Sequence, residues 1–244
     1  VNPPLLRFPR LEPATLLRRR NRFVAEVFLA DGSCADAHVA NTGRLPELMI
    51  AGRECLLRPA APREGRRTPW SLCLVRSSPP RSRWISLETP LANRLFEAAV
   101  GEGRFPELSG ERVLRREQTH GSSRFDFLLA DGGGRERLVE VKSANLFVGG
   151  EALFPDAPTE RGRKHLLELA RHSRRGNRSA LVFVAMGGEA ERLRPNVATD
   201  PAFASALAEA RDAGVMLLAA SFRFTPRDAR FERLIPVVLA GGGV

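Results

Sequence analysis

Asp126, Glu140 and Lys142 have the types and spacing to build a metal-assisted hydrolytic site. Each acid interrupts an apolar run: Asp126 stands between Phe125 and Phe127, and Glu140 between Val139 and Val141. Lys142 follows Glu140 by two residues and so shares its face on a strand. If the two runs pair, two carboxylates and an ammonium converge, a costly burial unless a partner or a metal compensates the charge. Carboxylates suit a hard divalent ion, Mg²⁺ or Mn²⁺, with the Val141 carbonyl as a further ligand. The ammonium can orient an attacking water. The same spacing also arises on ordinary solvated strands, so the motif alone leaves both readings open.

Lysine usage bears on the choice. Of the 38 basic residues, 36 are Arg, and the two lysines are Lys142 and Lys164. A compact ammonium at those positions is something a planar guanidinium does not imitate. Lys164 lies in a segment, Thr159 to Arg175, whose apolar Leu166, Leu167, Leu169 and Ala170 and closing Gly176 predict a helix. Arg161, Lys164, His165 and Glu168 fall on one stripe of that helix. The stripe can face the strand site, with Lys164, Arg161 or His165 steadying a scissile phosphate, or it can be an exposed basic face.

The elements that would position these groups are readable in outline. The two apolar runs are joined by a Gly-rich turn, Asp131 to Gly134, the mark of a β-hairpin. Arg112 to His120 reads as the preceding strand. Thr89-Pro90 predicts an N-cap and N1 proline for a helix that turns Leu91, Leu95 and Ala98 or Ala99 inward. Glu97 on that helix could supply a third carboxylate or simply a solvated face. Downstream, Ala180 to Met186 predicts a buried central strand, Pro201 to Gly214 a helix, Val215 to Ala220 a strand and Leu234 to Leu239 an edge strand. Gly241 to Gly243 reads as disordered.

The first 87 residues differ in character. They carry 15 Arg against 7 acids, while the rest is close to neutral. After a Pro-rich arm, Val1 to Leu11, a long β-rich run from Ala14 to Ala30 ends at the hairpin signal Asp31-Gly32. Further strands are expected at Cys34 to Ala40, Glu54 to Arg58, Trp70 to Arg76 and Arg83 to Leu87, with a short helix at Leu45 to Ile50. Five short strands predict a small barrel of the kind that binds nucleic acid through a basic face and stacking aromatics. Arg18, Arg19, Arg20, Arg22, Arg66 and Arg67 are the candidate phosphate contacts. Phe23, Trp70 and Trp84 are stacking candidates or barrel core.

The whole chain has 244 residues, formal charge +10 and a sequence pI near 11.1, which favours a polyanionic partner. No apolar run reaches the length of a membrane span and no signal-peptide pattern opens the chain, so a cytoplasmic protein without membrane contact is the expectation. The three cysteines show neither zinc nor disulfide spacing and read as core thiols. Nothing resembles a helix-turn-helix or zinc finger, so sequence-specific reading of bases is not indicated. Homo-oligomerisation is left open.

Asp126, the Glu140-Val141-Lys142 triplet and the segment FPDAPTERGRKHL (154–166) together resemble the sugar fermentation stimulation protein A family of bacterial and archaeal DNA-binding proteins. RRRNRFVAEV, Asn41-Thr42-Gly43 and TPLANRL (89–95) are similar to it too, so the resemblance runs from about residue 5 to 239. It implies an α+β protein of two domains. By that resemblance residues 1–87 are expected to form an OB-like barrel, and residues 88–244 a PD-(D/E)xK nuclease-like α/β domain with a mixed sheet. It implies sequence-tolerant DNA binding and, through the family's name, regulation of sugar (maltose) metabolism. A metal-dependent DNA nuclease using Asp126, Glu140 and Lys142 is the alternative, and an RNA-processing factor the second.

Overall fold

In the computed structural model, which describes residues 2–61, 68–79 and 82–239, the chain enters as a short strand, β1 (Leu6–Arg7), set apart from the barrel that follows. The barrel is made of β2 (Glu12–Asn21), β3 (Val24–Leu29), β4 (Cys34–Val39), β5 (Glu54–Pro59) and β6 (Trp70–Arg76), in the order β4-β3-β2-β5-β6. A parallel pairing of β4 with β6, Ala37↔Trp70 to Val39↔Leu72, closes the circle and removes the free edges. Leu16, Val27, Val39, Leu57 and Leu72 fill the interior with no solvent exposure. Truncating one of these leucines to Ala costs about 2–5 kcal/mol.

The long run expected from Ala14 to Ala30 is two strands, not one. The side chain of Asn21 accepts the Phe23 N–H at 2.8 Å, an Asx-type turn that reverses the chain, so Arg22 sits in the turn and off the strand. The second reversal falls at Asp31-Gly32 as expected, with Gly32 at φ 87° and Asp31 bonded to Ser33. No helix forms at Leu45 to Ile50. Leu48 and Met49 both donate to the Leu45 carbonyl in a single turn, and Leu45 itself takes φ 49°.

A three-residue strand, β7 (Trp84–Ser86), pairs with β6 on one side and with a strand of the second half on the other, welding barrel to sheet. After it come α1 (Thr89–Gly101), β8 (Arg112–His120), β9 (Ser123–Ala130), β10 (Glu136–Ala144), β11 (Leu146–Val148) and β12 (Glu151–Phe154). They are followed by α2 (Glu160–Arg174), β13 (Arg178–Ala185), β14 (Arg192–Pro195), α3 (Pro201–Asp212), β15 (Met216–Phe224) and β16 (Asp228–Leu234). The mixed sheet runs β7-β15-β13-β10-β9-β8, with β10, β13 and β15 parallel and β8, β9 and β10 antiparallel. β11, β12 and β14 make a small second sheet.

Two cores sandwich the main sheet. Leu91, Leu95 and Phe96 of α1 pack on Phe127, Val139, Val141 and Val182, while Leu166 and Leu169 of α2 and Phe203 of α3 pack on Leu138, Leu181 and Phe183. β13 is buried on both faces, which is why its sequence, SALVFVA, is apolar without alternation. α1 is capped differently from the sequence reading: Glu88 holds the N-cap position, and the Thr89 hydroxyl donates instead to the Ala40 carbonyl of the barrel at 2.9 Å. The edge strand expected at Leu234 to Leu239 is β16, which lies earlier and pairs with β15; Val237 makes one isolated bridge to Leu193. Gly241 to Gly243, Arg66, Arg67 and Arg81 lie outside the described residues. Cys55 and Cys73 are buried and Cys34 is exposed, so one of the three thiols departs from the core reading.

Candidate active site

β9 and β10 pair in register from Glu136↔Ala130 to Val139↔Phe127, and then the ladder stops. One step on, the Val141 N–H donates to the side chain of Asp126, at 2.8 Å from Oδ2. The neighbouring strand is irregular at the same level. Between the pairs Arg116↔Phe127 and Gln118↔Phe125, Glu117 takes φ 55°, a left-handed conformation that bends an edge strand sharply. β9 turns over at the same level: Phe127 packs in the core under α1 while Phe125, two residues away, packs in the core under α2. A regular strand would put both phenylalanines on one face. The rotation lets Asn93 of α1 reach Asp126, donating to Oδ1 at 2.8 Å.

Glu140 faces the opposite helix. It is 4% exposed, and its Oε1 is met by Lys142 Nζ at 2.5 Å and by His165 Nδ1 at 2.6 Å. Arg161 Nε points at His165 Nε2 from 3.5 Å, an arrangement satisfied by an imidazole with its hydrogen on Nδ1 and its lone pair on Nε2. His165 is itself buried, with its ring against Phe125. The other carboxylate oxygen, Glu140 Oε2, is buried and has no hydrogen-bond partner among the described residues.

The two acids are pulled apart electrostatically. Burial pushes Asp126 above the usual Asp value and the nearby Glu140 adds to this; the N–H of Val141 and the Asn93 amide act against it. Burial pushes Glu140 upward too, but His165 and Lys142 outweigh it, and the net direction is below the usual Glu value. One carboxylate is held ionised and its neighbour is a readier proton acceptor. Among the described residues no group of three or more His, Cys, Asp and Glu side chains is arranged to hold a metal ion together. The side-chain donor set is therefore two carboxylates, one with a bare buried oxygen, and such hard oxygen donors fit a cation such as Mg²⁺ that retains much of its water.

Of the expected site residues, Asp126, Glu140, Lys142 and His165 are brought together, with Arg161 behind His165. Lys164 stands off. Half exposed, it reaches the Ser122 carbonyl at 3.4 Å and Glu168 at 4.0 Å, at the start of β9. Glu97 turns outward to pair with Arg116 of β8. Asn93 takes its place as the residue of α1 that meets the acids. Sequence reasoning missed it, although a polar side chain one residue after buried Ala92 in a helix interior is a signal to look for its partner.

The barrel arginines differ among themselves. Arg18 pairs with Glu26 at 2.6 Å and Arg20 with Asp36 at 2.8 Å, both at the surface. Arg22 is exposed in the turn between β2 and β3. Arg19 corrects the expectation of a phosphate contact: its five N–H donors all have carbonyl acceptors. Nε reaches Asn21, Nη1 reaches Gly43 and Arg44, and Nη2 reaches Arg22 and Asn41. It ties two barrel loops together. Phe23 is half exposed, Trp70 is partly buried, and Trp84 is buried beneath the Arg76 guanidinium at 4.2 Å.

Comparison with known proteins is specific. Residues 17–87 match the model of the SfsA N-terminal OB domain, and residues 90–228 match that of the sugar fermentation stimulation protein RE domain. A sugar fermentation stimulation protein homolog of Moorella thermoacetica is 44% identical over 206 residues, 84% of this chain and 87% of the relative. One from Pelobacter propionicus is 40% identical over 235 residues, 96% and 100% of the two chains. The structure of Pyrococcus furiosus SfsA in complex with Ca²⁺ superposes with a TM-score of 0.88 at 33% identity, covering 97% of this chain and all of that one. No helix among the described residues is long and apolar enough to cross a membrane.

Proposed function

The chain belongs to the sugar fermentation stimulation protein family, and from that membership we propose that it binds DNA with little sequence preference and hydrolyses a phosphodiester at the Asp126–Glu140–Lys142 cluster. The observation that carries the hydrolytic reading is Glu140 Oε2, buried and without a donor while its partner oxygen has two. A buried carboxylate oxygen left bare is costly, and a cation is the partner that would relieve it. The Pyrococcus furiosus relative was solved in complex with Ca²⁺, which supports divalent-ion binding by this fold.

Mg²⁺ or Mn²⁺ held by Asp126, Glu140 and the Val141 carbonyl would supply Lewis-acid polarisation of the phosphate and its water. The chain's own groups do the rest. Asn93 and the Val141 N–H hold Asp126 in place from two sides. His165 fixes the Glu140 rotamer by one edge, leaving the buried Oε2 without a protein donor. Lys142 offers N–H donors to the attacking water and stays compact enough to sit beside it. Arg161 and the more distant Lys164 steady the phosphate, and Arg18, Arg20 and Arg22 on the barrel add charge to the DNA track.

Incubation of supercoiled plasmid with the protein and Mn²⁺, with and without EDTA, tests this: nicking that requires the metal is expected, and none at any Mn²⁺ concentration overturns the hydrolytic half. A second reading, a regulator of sugar metabolism that grips DNA without cutting it, is favoured by the donor set stopping at two carboxylates among the described residues. It predicts salt-dependent DNA binding with no metal-dependent nicking.

A further inference from the structure

Where the barrel meets the main sheet, a cavity of about 180 Å³ opens at the carboxyl end of β15. That is below the roughly 300–1,000 Å³ of pockets that enclose an organic ligand, and it suits a small group. Arg76 at the end of β6, Arg83 just before β7 and Arg223 of β15 all line it, and no acid does. The walls are fixed before any ligand arrives. Gly187 takes φ 110°, and a Cβ there would stand 2.3 Å from the Trp84 carbonyl oxygen, so only glycine lets the chain leaving β13 lie against β7. Arg83 crosses the same seam to Glu232 at 2.8 Å and to Glu189 and the Gly188 carbonyl at 3.2 Å.

The three arginines differ in what they have left to give. Arg83 is neutralised by its two glutamates. Arg76 lies over the Trp84 ring at 4.2 Å and meets Glu54 at 3.2 Å, but that glutamate side chain is 72% exposed and the pair is a weak one. Arg223 is exposed and has no hydrogen bond or ion pair among the described residues. In the pairing of β15 with β16 it stands opposite Arg230, whose guanidinium is taken by Asp228 at 2.7 Å. Like charges directly opposite on a sheet repel. An anion beside Arg223 would remove that cost.

We propose that this cavity receives a phosphate group, held by Arg223 with Arg76 beside it. The phosphate has two sources, the backbone of a bound DNA strand or a free mononucleotide, and the first rests on the DNA-binding reading above. Its position suits a strand. Lys142, Phe183 and Ala219 are level across β10, β13 and β15, so Arg223, four residues beyond Ala219, lies about 13 Å farther along the strands and about 10 Å to the side. DNA engaged at the lysine covers that distance within a few nucleotides.

The test uses the full chain, with a labelled duplex titrated by fluorescence anisotropy at three salt concentrations, and calorimetry with inorganic phosphate and with deoxyadenosine monophosphate. Arg223→Ala removes an exposed side chain without partners, so it should fold as the parent does. It is expected to bind the duplex about fivefold more weakly and to flatten the slope of log affinity against log salt by about one. Arg227→Ala removes an equal, exposed charge outside the cavity and should leave both near the parent's values. Unchanged duplex binding in Arg223→Ala, with loss of the phosphate or mononucleotide binding seen in the parent, assigns the cavity to the free ligand. An Arg223→Ala protein that matches the parent in every titration overturns the proposal, and so does an equal loss from Arg227→Ala, which would mean surface charge alone. If the parent binds no duplex, the DNA reading falls, and the cavity stands or falls on the phosphate titrations.

Discussion

His165 Nδ1 lies 2.6 Å from Oε1 of Glu140, the same oxygen that Lys142 reaches, so both compensating groups hold the carboxylate by one edge. Removing the imidazole leaves a buried acid with a single partner. His165→Ala is expected to cost about 1–3 kcal/mol in urea unfolding. It should also weaken Mn²⁺ about tenfold by calorimetry, since the residue that orients the carboxylate is lost. An unchanged Mn²⁺ affinity would show that His165 serves packing alone.

Lys142→Arg separates chemistry from charge. It should leave folding, Mn²⁺ binding and DNA affinity near the parent's values while abolishing metal-dependent nicking, because a broad guanidinium displaces or misses the water that an ammonium would orient. Asp126→Ala should abolish nicking as well, but with a loss of Mn²⁺ binding. The paired readout is calorimetry beside plasmid nicking, and a Lys142→Arg protein that nicks as fast as the parent removes the lysine from the chemistry.

Acidity acts on the two carboxylates at different points. Asp126 is raised from 3.8 by burial and by Glu140, and Glu140 is lowered from 4.5 by His165 and Lys142 against its own burial. Mn²⁺ needs ionised ligands, so its affinity should begin to fall at a higher pH than for ordinary carboxylates, with one proton released in that window. For folding the sign is reversed. A raised carboxyl contributes stability that is present below its unfolded value and is lost as pH rises through its folded value, so Asp126 destabilises the metal-free protein at neutral pH. Mn²⁺ should therefore raise the melting temperature more at pH 7 than at pH 4, and the converse order would contradict the assignment.

The arginines of β2 should respond unequally. Arg19→Lys strands most of five carbonyls and is expected to cost about 2–4 kcal/mol in chemical denaturation. Arg18→Ala breaks an exposed pair worth at most about 1 kcal/mol. On DNA the order reverses: replacing Arg18 or Arg22 should flatten the slope of log affinity against log salt by about one for each phosphate that is no longer neutralised. Electrophoretic titrations at three salt concentrations measure it.

The parts legible in the sequence were those with a local cause. The Asp131–Gly134 turn, the apolar β13 and the helix α2 closing before Gly176 each follow from neighbouring residues. So did the pairing of Glu140 with Lys142, because it needs only a period of two. What escaped depends on distant partners. Asn93 meets Asp126 across two elements far apart in sequence, beside a left-handed Glu117 in β8 that leaves no mark in composition. Arg19 looked like one more member of a basic cluster, and only the folded loops show that its donors are taken. The turn at Asn21 was hidden inside a continuous β-forming run.

β1 pairs with β16, Leu6 opposite Ala229, while Asn2 bonds to the Phe231 carbonyl across 229 residues and Phe8 stacks on Phe224. During synthesis β1 must wait for β16 to emerge, so it docks late and closes a long loop. Until then β16 presents an open edge to any other strand. A protein shortened before Leu11 should therefore keep its barrel and its metal site yet aggregate on refolding, and extensions at the N-terminus will emerge beside the nuclease-like half and not beside the barrel.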